Sequence, residues 1–228
     1  MVNSQIIPTR YFAAEAAAWI AAEARAAIVE RGLFRVALAG GETPRAVHEA
    51  LTRVVPALDW ARVQITFGDE RCVPPEDADS NFRMAKESLI DRVALPEGNV
   101  FRIRGEIAPD DAAREYEEKL AAVAARFGEA RYVHDLVILG MGADGHTASL
   151  FPGSPALDET VRNVMPATGP KPPPQRITMT FPLINAARKV CFLAKGAEKL
   201  PLVEQIAAGD ESYPAGRVRA ASVTWLVG

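Results

Sequence analysis

Cysteine and histidine are scarce in this chain, and their scarcity narrows the chemistry at once. The 228 residues hold two cysteines, Cys72 and Cys191, and three histidines, His48, His134 and His146. The cysteines stand far apart, without the spacing of a redox pair or a zinc site, so neither a disulfide framework nor a metal is expected to organise this protein. Such cysteine usage suits a reducing, cytoplasmic setting. An excess of cations is missing too: 26 Lys and Arg stand against 29 Asp and Glu, a formal net charge of -3. A mildly acidic surface gives no general attraction to nucleic acid or anionic lipid, so neither is expected as a partner, and any phosphate must be captured by a local site. Long uncharged apolar runs are also lacking. The alanine-rich stretch "YFAAEAAAWIAAEARAAIVERG" (11 to 32) is interrupted by Glu15, Glu23, Arg25 and Glu30, which exclude a membrane span or a secretory apolar segment. It predicts an amphipathic packing helix, with Glu15, Glu23 and Glu30 near one face and Gly32 ending it.

What is present reads as an ordinary globular protein. Hydrophobic residues make up 49% and charged residues 24% of the chain, and the length suits one sizeable domain rather than two. Residues 1–228 are therefore expected to form a single domain. Short apolar runs alternate with helical stretches. Strands are predicted over 33–40, 63–70, 135–140 and 189–196, and helices over 43–51, 80–90, 110–128 and 197–209, with Pro201 in the first turn of the last. This alternation predicts a three-layer, doubly wound α/β fold: a mostly parallel sheet with helices on both faces. The proline-rich piece "TGPKPPPQR" (168 to 176) is too short to separate domains and reads as a stiff surface loop.

In such a sheet, chemistry collects where strands end. The stretch "DLVILGMGADGHTASLFPG" (135 to 153) places Gly140, Gly142 and Gly145 in the G-x-G-x-x-G spacing of a dinucleotide-binding turn. Three residues argue against a nicotinamide site. Asp144 puts a carboxylate where an anion should sit, Pro152 interrupts the helix that should follow, and His146 has no task in such a turn. A histidine on a glycine-rich loop beside a carboxylate is better suited to acid or base work. His48 and His134 lack comparable surroundings and read as surface or packing residues.

Three other strand exits carry polar groups. In "AGGETPRAV" (39 to 47), Gly40 and Gly41 permit a tight turn, Thr43 can cap the following helix, and Pro44 fits its first position. That is an ordinary capped turn, but it also leaves bare N–H groups able to hold a phosphate. In "FGDERCVPPEDADSN" (67 to 81), Asp69, Glu70 and Arg71 form either a salt-bridged turn or a binding cluster. Arg176 and Lys195 could neutralise nearby acids or complete a phosphate pocket.

Together "GGETP", "FGDERCVPPEDADSN", "ILGMGADGHTASLFPGSP", "RITMTFPLIN" and "FLAKGAEK", in this order across about residues 34–200, resemble the glucosamine-6-phosphate isomerase/6-phosphogluconolactonase family. Within it, the deaminases carry a glutamate that helps the histidine open the sugar ring. This chain has Phe151 at that position, and Arg71 follows Asp-Glu where the deaminases have tyrosine. Both departures favour the lactonase branch. The resemblance implies hydrolysis of 6-phospho-D-glucono-1,5-lactone in the oxidative pentose phosphate pathway, without cofactor or metal, by a monomer or homodimer. His146 is expected to activate water, Asp144 to orient the imidazole or the water, and Asp69 to bind substrate hydroxyls. Gly40, Gly41, Thr43, Arg71, Arg176 and Lys195 are expected to hold the substrate and its phosphate. The alternatives are a deaminase-like isomerase, a sugar-phosphate-binding protein without catalysis, and a mechanism that uses Cys72 as nucleophile.

Overall fold

The computed structural model describes residues 3–54 and 56–228. Six strands, β1 (Asn3–Pro8), β2 (Phe34–Leu38), β3 (Val63–Phe67), β5 (Leu136–Gly140), β8 (Lys189–Ala194) and β9 (Ser222–Val227), form one sheet in the order β1-β9-β8-β5-β2-β3. Every pairing in it is parallel. All five residues of β2 and of β3 are buried, as expected for strands covered on both faces. The helices are α1 (Phe12–Arg31), α2 (Glu42–Leu51), α3 (Asn81–Ser88), α4 (Pro109–Arg126), α5 (Phe181–Asn185) and α6 (Leu200–Ala207). The doubly wound α/β architecture expected from the alternation is the one observed.

Winding outward from β2, the chain runs to β3 on one side and through β5, β8 and β9 on the other. The order thus reverses between β2 and β5. At such a reversal the connections diverge, leaving a crevice beyond the C-terminal ends of the two strands.

The predicted elements differ from the observed ones mainly near this crevice. The run 63–70 is not one strand. It breaks at Gly68, and Asp69–Arg71 becomes β4 of a second, antiparallel sheet with β7 (Gln175–Met179) and β6 (Val164–Thr168). The proline-rich piece joins β6 to β7, with its ends paired at Thr168 and Gln175. α2 begins at Glu42 with Gly41 as its cap, so Thr43 is inside the first turn and caps nothing. β1 and β9 were not anticipated. α1 keeps its predicted end, where Gly32 adopts φ 77°. Its buried face is largely alanine, which lets this long helix lie close to the sheet.

Candidate active site

The crevice holds a cavity of about 230 Å³ lined from four strand exits. The β2 exit contributes Gly40, Gly41, Glu42 and Thr43, and the β3 exit contributes Gly68, Asp69 and Arg71. The β5 exit contributes Gly142 and His146, and Lys199 stands beyond β8. Of the residues singled out in the sequence, the structure brings Gly40, Gly41, Thr43, Asp69, Arg71 and His146 to one cavity. Asp144 stands behind His146 and Arg176 beside Arg71. Lys195 is exposed and does not line the cavity; Lys199, one turn further on, does.

The β5 exit makes a reverse turn rather than opening a helix. Gly145 N–H donates to the Gly142 carbonyl at 3.0 Å, and Gly142 N–H donates to the His146 carbonyl at 3.0 Å. His146 Nδ1 lies 2.5 Å from Asp144 Oδ1. Burial pushes the Asp144 carboxyl up, but the hydrogen bonds from His146 outweigh it and hold the group below its usual range. A carboxylate on Nδ1 selects the tautomer in which Nδ1 carries the proton, leaving Nε2 as a free base. The histidine ring also packs on Phe151, with centroids 4.7 Å apart.

Asp69 is fixed from two sides. Asn81 Nδ2 donates to its Oδ1 at 3.0 Å, and Ser149 Oγ donates to its Oδ2 at 2.6 Å. Asn81 in turn owes its place to Glu70, which is buried under the start of α3. The Glu70 carboxylate accepts from the backbone N–H groups of Arg71, Asn81 and Phe82 at 2.7–2.8 Å and from Ser80 Oγ at 3.1 Å. Burial nevertheless drives its pKa upward. The middle residue of Asp-Glu-Arg is thus a structural anchor, while its neighbours face the cavity. Gly40 completes the arrangement: a Cβ there would sit 1.9 Å from Asn81 Oδ1, so only glycine lets the carboxamide cross to Asp69.

The cationic wall begins at α2. No side chain caps its N-terminus, so the first-turn N–H groups and the positive end of the helix dipole are left to the cavity. Lys199 Nζ donates to the Met141 carbonyl at 3.1 Å and, among the described residues, forms no ion pair. Sequence reasoning chose Lys195 because it ends the strand. The turn Ala197–Lys199 carries the chain back over the cavity, so the later lysine is the one that reaches it.

Cys72 does not line the cavity, and burial pushes its thiol up to about 11 although Arg176 pulls the other way. A thiol so protonated is a poor nucleophile. His48 and His134 are buried packing residues, next to Ser88 Oγ at 3.1 Å and Thr66 Oγ1 at 2.8 Å. Among the described residues no group of three or more His, Cys, Asp or Glu side chains could hold a metal ion, and no helix is long and apolar enough to cross a membrane.

The family model for glucosamine-6-phosphate isomerases/6-phosphogluconolactonase matches residues 9–226. The 6-phosphogluconolactonase of Synechocystis sp. is 39% identical, covering 100% of this chain and 93% of its own. The human 6-phosphogluconolactonase is 41% identical over 81% of this chain and 72% of its own. Among solved structures, the 6-phosphogluconolactonase of Thermotoga maritima superposes with a TM-score of 0.88 at 30% identity, covering 99% of this chain and 100% of that one. That of Trypanosoma brucei superposes with a TM-score of 0.80 at 30% identity over 100% of this chain and 96% of its own. With the sheet order, the crevice and the His146 loop already in place, this chain belongs to the glucosamine-6-phosphate isomerase/6-phosphogluconolactonase family.

Proposed function

We propose that this protein is a lactonase that hydrolyses 6-phospho-D-glucono-1,5-lactone to 6-phospho-D-gluconate. The observation that carries the reading is the His146–Asp144 pair: a cavity-lining imidazole whose Nδ1 is engaged by a carboxylate and whose Nε2 is left to take a proton. His146 removes a proton from water as the water oxygen bonds to C1. The C1–ring oxygen bond then breaks, and the same proton passes from His146 to the departing ring oxygen. A lactone is already an activated ester, so no covalent intermediate is required.

Asp69, held by Asn81 and Ser149, offers its remaining acceptor capacity to substrate hydroxyls. The phosphate sits at the uncapped N-terminus of α2, against Gly41 and Thr43, with Lys199 supplying the point charge that the sequence assigned to Lys195. The deaminase alternative lacks its ring-opening carboxyl, since Phe151 packs on His146 at that place. A binding protein without catalysis would have no need of the His146–Asp144 pair.

The test is to add purified protein to freshly generated 6-phosphogluconolactone and follow proton release. Release well above the spontaneous rate, with 6-phosphogluconate as the product, is the expected result. A rate equal to the blank would overturn the reading.

A further inference from the structure

Arg71 and Arg176 stand directly opposite each other in the β4–β7 register, on the sheet face that also carries Asp69 and Thr178. Arg176 is only 7% exposed, yet its guanidinium has little to hold it. Nη2 reaches the Lys171 carbonyl at a long 3.4 Å, and Nε has no partner. Arg71 donates from Nη1 to the Asp79 carbonyl at 2.5 Å, and its Nε is likewise orphaned. Neither guanidinium has a carboxylate partner among the described residues, and the acid on their own face, Asp69, is hydrogen-bonded by Asn81 and Ser149 instead. Burial lowers the Arg176 pKa and Arg71 lowers it further, and together they outweigh the opposite pull of Asp69, Asp79 and Cys72. A buried charge with no partner is costly, and an anion relieves it.

The position of the pair says which anion. Phe151 packs on the His146 ring, and both it and Arg176 border Gly169, where a Cβ would meet Phe151 at 3.2 Å and Arg176 Nε at 3.3 Å. The His146 loop is also stitched to these strands through Ser149, whose N–H donates to Thr178 Oγ1 at 3.1 Å and whose Oγ donates to Asp69. Arg71 therefore shares the cavity with the base, with Arg176 opposite it on β7. The uncapped end of α2 and Lys199 line the same cavity from the β2 exit and from beyond β8, whereas Arg71 enters it from the β3 exit. In a hexose lactone 6-phosphate, C1 and the phosphorus are at opposite ends, which suits one cavity entered by cationic groups from different strand exits.

We propose that Arg71, backed by Arg176, is a carboxylate subsite: it meets the oxygen that becomes negative when water adds to C1 and then retains the carboxylate of the product, while the phosphate stays at α2 and Lys199. The inference rests on the hydrolytic reading and divides the expected phosphate pocket in two. When water adds, the carbonyl π pair moves onto the C1 oxygen. When that pair returns, the ring oxygen leaves with the proton from His146, and the new carboxylic acid releases its proton to solvent. The charge near the arginines is thus formed by the reaction and absent from the lactone carbonyl. An interaction made only as charge develops raises kcat more than it lowers KM.

The experiment is calorimetric titration of the whole protein with 6-phospho-D-gluconate and with D-glucose 6-phosphate, which carries the phosphate but no carboxylate. Wild type is expected to bind the gluconate more tightly. Arg176→Met should weaken the gluconate about tenfold or more and glucose 6-phosphate less than about threefold, while Arg176→Lys, which keeps the charge, should recover much of the loss. Arg71→Met, at a half-buried position, repeats the comparison should the buried variant fail to fold. On the lactone, either variant should lose kcat with little change in KM. Equal losses on both ligands would return the arginines to the phosphate, and no loss on either would remove them from the site; both outcomes overturn the proposal. Wild type that binds both ligands with the expected preference but leaves the lactone intact would instead refute the hydrolytic reading alone.

Discussion

His146 Nδ1 lies 2.5 Å from the Asp144 carboxylate, two residues back along the same loop. A base and its orienting acid so close in sequence need a sharply folded backbone, which the glycines of this turn supply. Replacing His146 with alanine removes the proton acceptor but not the cavity, so kcat should fall by roughly 10²-fold or more with KM largely kept. Asp144→Asn should lower kcat less, since the amide can still meet Nδ1 but no longer stabilises the protonated ring. Steady-state kinetics of both variants check this, and near-wild-type turnover of His146→Ala would end the general-base assignment.

Gly142 gives a second handle on the same pair. A Cβ there would stand 2.2 Å from His146 Cε1 and Nδ1 and 2.6 Å from Asp144 Oδ1. Both side chains must then move. Gly142→Ala should therefore lose activity on the order of the histidine variant, because displacement of a reacting group by about 1 Å costs roughly 10²-fold. The far-ultraviolet spectrum should stay that of the native fold. Wild-type kcat in Gly142→Ala would mean that the pair tolerates a different geometry.

The parallel sheet and the His146 loop were legible because their signals are local. Apolar runs such as "DLVILG" are bounded by glycine, and Asp144 and His146 are neighbours in the chain. What the sequence hid depends on distant partners. Nothing around Glu70 shows that its carboxylate anchors α3 while Asp69 and Arg71 face the cavity, for that depends on the break at Gly68 and the pairing of β4 with β7. Lys199 was passed over for a similar reason: the turn at Ala197 decides which lysine returns to the site. Asn81, the partner of Asp69, lies inside the quoted motif, but only its contact with Gly40 shows what it does.

The buried histidines predict how stability varies with pH. Burial, with help from Arg45, lowers the His48 pKa to about 4, and burial with help from Arg35 lowers that of His134 to about 3. Between pH ~6.5 and these values the unfolded chain binds protons that the folded protein does not, so stability falls as pH falls through that window and is fully present above it. At about 1.4 kcal/mol per unit, His48 alone accounts for a loss on the order of 3 kcal/mol by pH ~4. His48→Asn retains a polar atom for Ser88 and removes the titration. Urea unfolding at several pH values should show a shallower decline for this variant, and parallel curves would show that His48 does not titrate in this way.

Lys199 and Lys195 separate the two accounts of the phosphate site. If the phosphate lies between the uncapped α2 terminus and Lys199, removing that amine should raise KM for the phosphorylated lactone about tenfold, the ordinary cost of one charge-assisted hydrogen bond at a shielded site. Lys195→Ala should be close to wild type, since the exposed side chain stands outside the cavity. D-Glucono-1,5-lactone without phosphate should be a poor substrate for the native protein, because the remote binding energy that positions C1 is missing. On that lactone Lys199→Ala should be scarcely worse than wild type, its partner being already absent. Kinetics of the three proteins on the two lactones give six values of kcat/KM. A loss for Lys199→Ala that is equal on both would show that the amine supports the Met141 carbonyl and the turn before His146. A loss confined to Lys195→Ala on the phosphorylated substrate would return the phosphate to the residue that the strand ending first suggested.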